Sequence, residues 1–382
     1  LVQIPSGYKE DKLYSVVPDS GAGDFTFARS STGSRVGSDG LIETGVAIDT
    51  PRLDYSGGAS CASLLLEPQS TNLVTQSETF SNWDTEGGKQ VVTQGVLISP
   101  DGTLNGNKLE TYNSTNSNQR KLWIGYYVTV GASYTFSVYI KQVSGQINSG
   151  FLHITTGAND TFDVSQAYTA TDQWQRVSVT TNSAASSQIR FLITGDANSQ
   201  IYIWGAQVEQ QSYPTSYIPT SGSTVTRTSD SFQSVNASNW SSVEGTINLN
   251  LQAFEGDNTY RQFSLYGSGN DSLVISYTNT TNQVTSIMKV GGSTVFYMAT
   301  TLTDASDLNK IAFAYSSGRA KLFINGVQRG TSSASYTTSE GVWTKFCSNI
   351  GASYNYYFGK VDGIYISKTA LTDEELTTLT TI

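Results

Sequence analysis

A hydrolase of the Ser-His-Asp type would have to run through His153, because the chain contains one histidine. That residue lies in Phe151-Leu-His-Ile-Thr155, an alternating stretch in which it points away from Leu152 and Ile154. Such an imidazole is expected to be a surface or groove side chain and not a base beside a nucleophile. Glycoside hydrolysis asks instead for two carboxylates, roughly 5 to 10 Å apart across the scissile bond. Glu43, Glu67, Glu110, Glu209, Glu244 and Glu255 are scattered singly, and no Glu-x-Asp-x-Glu run occurs. No phosphate-binding loop, dinucleotide fingerprint or metalloprotease pair occurs either. No catalytic residue and no cofactor are therefore expected. A structural calcium ion would need several converging oxygens. Asp101, Glu110, Asp160, Asp163 and Asp271 are candidates on loops, and no spacing singles out a set. Cys61 and Cys347 make neither a disulfide framework nor a zinc site. They are expected in different domains, as small buried hydrophobes.

Binding chemistry has more material, with six Trp and 22 Tyr. Sugars are held by stacked aromatics, with amides and carboxylates answering their hydroxyls. Trp123 lies between Leu122 and Ile124 and faces away from them, together with Gly125 and Tyr127. If Leu122 and Ile124 face the core, Trp123 is open on the sheet or in its groove. Trp204 and Tyr202 likewise face opposite Ile201 and Ile203. Tyr354, Tyr356 and Tyr357 crowd a loop with Asn349 and Asn355, the usual material of recognition surfaces. The glycan-binding candidates are Trp123, Tyr127, Trp204, Tyr354 and Tyr356; packing between domains or subunits would explain the same residues. Trp174, opening a strand after an Asp-Gln turn, is expected to be structural.

These residues need strands to position them, and alternation with period two runs through the chain. Tyr134, Phe136, Val138 and Ile140 share a face, as do Ile189, Phe191 and Ile193, then Ile247, Leu249 and Leu251, then Ile311, Phe313 and Tyr315. Asn325-Gly326 reads as a type I′ hairpin. The one convincing helix start is at the end, where Thr372 and Glu375 form a capping box and Leu371 and Leu376 are spaced as a staple. Asp373, Glu374 and Glu375 are then acids favoured by the helix N-terminus. Three segments follow: 1–75, too thin in apolar residues for its own core, then 76–228 and 229–382, both strand-rich. The stretch from Pro214 to Ser223 reads as an exposed linker.

The 382 residues suit two or three domains, and 37% hydrophobic content suffices for real cores. Charged residues are only 14%, against about 25% in an average soluble protein. Uncharged, hydroxyl- and amide-rich surfaces suit extracellular lectins, virion parts and adhesins. The net charge of −9, with no basic cluster, argues against nucleic acid and anionic membranes as partners. No apolar run is long enough for a transmembrane helix, and Leu1 to Lys12 lacks a signal-peptide core.

Residues 1–75 resemble a recurring module of phage tail and fibre proteins. Phe25-Thr-Phe-Ala-Arg29-Ser-Ser-Thr, Asp39-Gly-Leu-Ile-Glu43, Thr50-Pro-Arg-Leu-Asp-Tyr55 and Leu64-Leu-Leu-Glu67-Pro-Gln-Ser-Thr-Asn-Leu73 carry the resemblance. Residues 76–228 are similar to jelly-roll, carbohydrate-binding-like modules through Tyr134-Thr-Phe-Ser-Val-Tyr-Ile-Lys141, Trp174-Gln-Arg-Val-Ser, Trp204-Gly-Ala-Gln-Val-Glu209 and Pro214-Thr-Ser-Tyr-Ile-Pro-Thr220. Residues 229–382 resemble concanavalin-A-like, laminin-G-like sandwiches through Lys310-Ile-Ala-Phe-Ala-Tyr315, Leu322-Phe-Ile-Asn-Gly326 and Phe358-Gly-Lys-Val-Asp-Gly-Ile-Tyr-Ile-Ser367. The fold implied is all-β: two antiparallel β-sandwiches preceded by a small irregular β segment. The resemblance implies a virion appendage, homo-oligomeric, binding host-surface polysaccharide and other virion proteins without catalysis. A purely structural virion component and a polysaccharide depolymerase are the alternatives.

Overall fold

The computed structural model describes residues 1–4, 8–9, 12–16, 20–21, 24–85, 90–112, 121–156, 162–182, 184, 186–254, 259–267, 270–348 and 356–382. They form antiparallel sheets throughout, with one α-helix and one 3-10 turn among the described residues. The all-β expectation holds. The chain folds as two compact units, each assembled from separated stretches. One unit takes residues 1–31, 46–68 and 228–382; the other takes 32–45 and 69–227. Residues 1–75 are thus divided between the units instead of forming a segment apart.

In the unit containing the C-terminus, two sheets enclose one core. The first runs in the order Val327–Ser332, Arg319–Ile324, Asn309–Ser316, Gly245–Gln252, Gly359–Ser367, Ser63–Leu66, Arg52–Asp54. The second runs Ser293–Thr301, Gln283–Val290, Ser272–Tyr277, Arg261–Gly267, Trp343–Cys347, Ser231–Ser234, Thr26–Ala28. The alternating residues Ile247, Leu249, Leu251, Ile311, Phe313 and Tyr315 are all buried between them, joined by Phe25, Phe27, Leu64 and Leu66 from the first segment. That is how a segment too thin for its own core is stabilised: its strands extend sheets built by residues far along the chain. At Asn325-Gly326 both residues have positive φ, 51° and 77°, as a type I′ turn requires. The helix Asp373–Thr380 carries the expected capping box. Leu376, with Leu371, packs on Ala312, Ala314 and Phe323.

Three charged residues of the first segment are internal. Arg29, Arg52, Glu67 and Asp230 are all buried. Arg52 pairs with Glu67 at 2.5 Å and also with Asp230, while Arg29 meets Asp230 at 3.2 Å. Burial alone would lower the Arg52 pKa, but Asp230 and Glu67 outweigh it and hold the guanidinium charged. Two cations and two anions balance inside this unit. Both cysteines belong to the same unit, contrary to expectation, and while Cys347 is buried, Cys61 is exposed. Cys61 sits in the loop before Ser63–Leu66.

The other unit is a sandwich of two five-stranded sheets. One has the order Asp84–Thr85, Lys121–Tyr127, Gln188–Gly195, Ser149–Thr155, Val164–Thr169; the other Gln90–Leu97, Gly106–Thr111, Gln200–Glu209, Tyr134–Gln142, Gln175–Thr181. Phe136, Val138, Ile140, Leu122, Ile189, Phe191 and Ile193 meet in its core. The expected linker at Pro214–Ser223 is largely a strap on this sandwich. Tyr213, Thr215, Tyr217, Ile218 and Thr220 are buried, while Pro219 and the run from Ser221 to Thr226 are exposed. The buried Glu209 carboxylate accepts from Thr215 N at 3.0 Å and from the Thr215 hydroxyl. Gln207 Oε1 accepts from Ile218 N at 2.7 Å, and Asn72 donates to Ile218 O at 2.9 Å. A Pro/Ser/Thr stretch reads as a linker because it lacks a period. Here its backbone groups are instead answered by buried amides and a carboxylate.

Candidate functional site

Lys121–Tyr127 is the strand that builds the site. Leu122 is buried in the sandwich core and Ile124 packs against it, so Trp123, Gly125 and Tyr127 face outward as their spacing predicts. Pairing with Gln188–Gly195 sets Gly125 opposite Arg190 and Tyr127 opposite Gln188, and pairing with the short edge strand sets Trp123 opposite Asp84. Beyond the central strand, Thr155 lies opposite Arg190. The result is a groove of about 400 Å³ lined by Asp84, Trp123, Tyr127, Thr155, Gln188 and Arg190, with Tyr126 and Ile189 contributing.

Within it, Tyr127 is 81% exposed and Trp123 is half-buried. The Arg190 guanidinium carbon stands 4.4 Å from the centre of the Trp123 ring, a cation–π contact that holds both side chains. Gly125, between the two aromatics, leaves the groove floor without a side chain. Burial pushes the Tyr126 hydroxyl up to about 12, so it stays protonated at neutral pH. Asp84 is the one carboxylate among the lining residues. An open aromatic ring, an amide, a hydroxyl, an acid and a guanidinium can together stack on an apolar ring face and bond the hydroxyls at its rim.

The other candidates are distributed differently. Trp204 faces away from Ile201 and Ile203, as expected, but it is 0% exposed and is no platform. Ile42 and Tyr217 cover it, with Tyr139 and Trp174 packed alongside. The Trp174 indole N–H donates to Ile98 O at 3.0 Å, in keeping with a structural role. Tyr356, in the unit with the C-terminus, is half-buried and stacks on Phe358. Tyr354, Asn349 and Asn355 lie outside the described residues. Only Trp123 and Tyr127 are brought together. Arg190, Gln188, Asp84 and Thr155 were missed. The outward direction of Gln188 and Arg190 is legible from alternation with Ile189 and Phe191, but the strand pairing that gathers all four is not.

His153 is not a surface residue. It is buried under Phe162, the two rings 3.7 Å apart and stacked, with its nitrogens bonded to Ser165 Oγ at 2.7 Å and Thr194 Oγ1 at 3.1 Å. Burial, then the nearby Lys121, lowers its pKa to about 4. It faces outward as predicted, and a covering ring makes it internal. Four of the acids are occupied in a similar way: Glu43 pairs with Arg35 at 2.8 Å and Glu110 with Lys108 at 3.3 Å, while Glu67 and Glu209 are buried in the contacts above. Glu255 lies outside the described residues. Of the calcium candidates, Asp101 accepts from Ser99 and Thr103, Asp163 from Thr156 N and Asp271 from Gly292 N, and Asp160 lies outside the described residues. Among the described residues no three His, Cys, Asp or Glu side chains converge.

Fold and groove together define an all-β, two-unit chain with an aromatic groove on one sandwich. Residues 226–377 match the family model of the concanavalin A-like lectin/glucanase superfamily, laminin-G type. Among solved structures, the chain is similar to the IT-sialidase CBM40 of Ruminococcus gnavus bound to α2,3-sialyllactose. Identity is 16% over 36% of this chain and 83% of that one, with a TM-score of 0.30. It is also similar to domain 4 of the extracellular arabinanase AbnA of Geobacillus stearothermophilus in complex with arabinotriose, at 14% identity over 40% and 73%, TM-score 0.34. A third is the binding domain of botulinum neurotoxin serotype D, at 9% over 39% and 40%, TM-score 0.32. No curated protein sequence matches the chain.

Proposed function

We propose that this protein is a non-catalytic glycan-binding protein whose sugar site is the groove over Lys121–Tyr127. The observation that carries the reading is the pairing of an 81% exposed tyrosine, Tyr127, with Trp123 in a groove edged by Asp84, Gln188 and Arg190. An exposed aromatic ring beside a second one, in a groove with a polar rim, suits ligands that pair an apolar ring face with hydroxyls. Asp84 stands without a second acid among the lining residues, which supports binding over hydrolysis by a carboxylate pair. The resemblance of residues 1–75 to phage tail modules supports the finer reading: a virion appendage, homo-oligomeric, attaching to host polysaccharide.

Trp123→Ala and Tyr127→Ala should each weaken binding to host cells or their extracted polysaccharide. Losing a stacking ring removes about 1–3 kcal/mol, roughly five- to 150-fold in affinity. The melting temperature should stay near that of the unaltered chain. Undiminished binding by both variants would overturn the site.

A further inference from the structure

The groove holds a cation that no carboxylate among the described residues neutralises. Arg29, Arg35, Arg52 and Arg319 all meet carboxylates. Arg176 donates to Thr215 O and, at 2.9 Å, to Ser137 Oγ. Arg190 differs. Its one contact among the described residues is with the Trp123 ring, and its guanidinium makes no hydrogen bond or ion pair there. Gly125 is the residue opposite it, so no neighbouring side chain on that strand covers the planar donor fork. Asp84 lines the same groove but sits on the far side of Trp123, on the edge strand, and forms no ion pair with Arg190.

Resting on the sugar-binding reading of the groove, we infer that its ligand is an acidic sugar, with the anionic oxygens of a carboxylate or sulfate ester taken by Arg190. A guanidinium presents parallel N–H donors that match two oxygens of such a group, and it stays charged at any working pH. Stacking on Trp123 fixes the fork before the ligand arrives, so less side-chain entropy is lost on binding. Asp84 and Arg190 flank Trp123 with opposite charge. The acid therefore repels the anionic end and accepts from hydroxyls at the other, which holds the sugar one way round.

The test is calorimetry on the full chain with three probe sets: oligomers of uronic or sialic acids, sulfated oligosaccharides, and uronic-acid oligomers reduced to neutral sugars. Expected is binding to a carboxylated or sulfated probe that weakens roughly tenfold or more in Arg190→Gln, with a clearly smaller loss for the reduced oligomers, so that the preference for the acidic probe collapses. Tyr127→Ala should weaken both. A melting curve for Arg190→Gln that matches the unaltered chain shows that the fold is kept. Equal binding of acidic and reduced oligomers, lost in Tyr127→Ala but not in Arg190→Gln, would overturn this inference and leave the groove reading standing. Binding that survives Tyr127→Ala and Trp123→Ala alike, or no binding to any probe, would remove both.

Discussion

Replacing Asp230 by asparagine removes the hub of a buried charge cluster while keeping its shape. One carboxylate oxygen receives Arg29 Nη1 at 3.2 Å; the other receives Arg52 Nη2 and the Glu67 backbone N–H, the latter at 2.8 Å. With both arginines charged, the four side chains sum to zero, and the amide leaves an excess of one positive charge in a site without water access. Breaking a buried pair from one side costs about 3–5 kcal/mol. The lower end applies here, because Arg29 keeps the carbonyls of Ala47 and Thr50 at 2.6 and 3.0 Å and Arg52 keeps Glu67. A loss of about 3 kcal/mol corresponds to a drop of roughly 6–12 °C in melting temperature for a unit of this size. Urea unfolding followed by hydrogen exchange in Arg52–Asp54 and Ser231–Ser234 reads it directly. A loss under about 1 kcal/mol would refute the argument, because it would mean that water or a neighbouring group already screens the cluster.

Two further outcomes follow from the other sandwich. His153, held near a pKa of about 4 against 6.5 when unfolded, stays neutral in the fold where the unfolded chain is protonated. Its contribution to stability is complete above pH 6.5 and is lost as pH falls toward 4. The bound is about 3 kcal/mol, and about 2 after allowing for partial solvent screening. A pH series of denaturant midpoints should show this slope, and His153→Gln should flatten it. Chymotrypsin should spare Tyr213 and Tyr217 in the native chain. Glu209→Ala, by releasing Thr215, should open both to cutting; rapid cleavage of the unaltered protein there would mean that the strap is not docked.

Period-two alternation made the strands legible, because which side of a strand a residue takes is a local property of the backbone. Ile247, Leu249 and Leu251, or Ile189, Phe191 and Ile193, needed no tertiary information to be assigned to cores. The Thr372–Glu375 box and the Asn325-Gly326 turn were legible for the same reason, their partners being a few residues away. The outward side of each strand was legible too, but not what covers it. Trp123 and Trp204 stand in similar settings, each following an aliphatic residue and facing away from it. Trp204 is sealed by Ile42 from the first segment and Tyr217 from the strap, His153 by Phe162, whereas Trp123 and Tyr127 stay in the groove. Covering depends on which distant stretches cross a sheet face, and for that the chain's own sequence carries no period to read. Three charged residues of the first segment follow the same rule: Arg29, Arg52 and Glu67 are internal where Asp230, far along the chain, balances them.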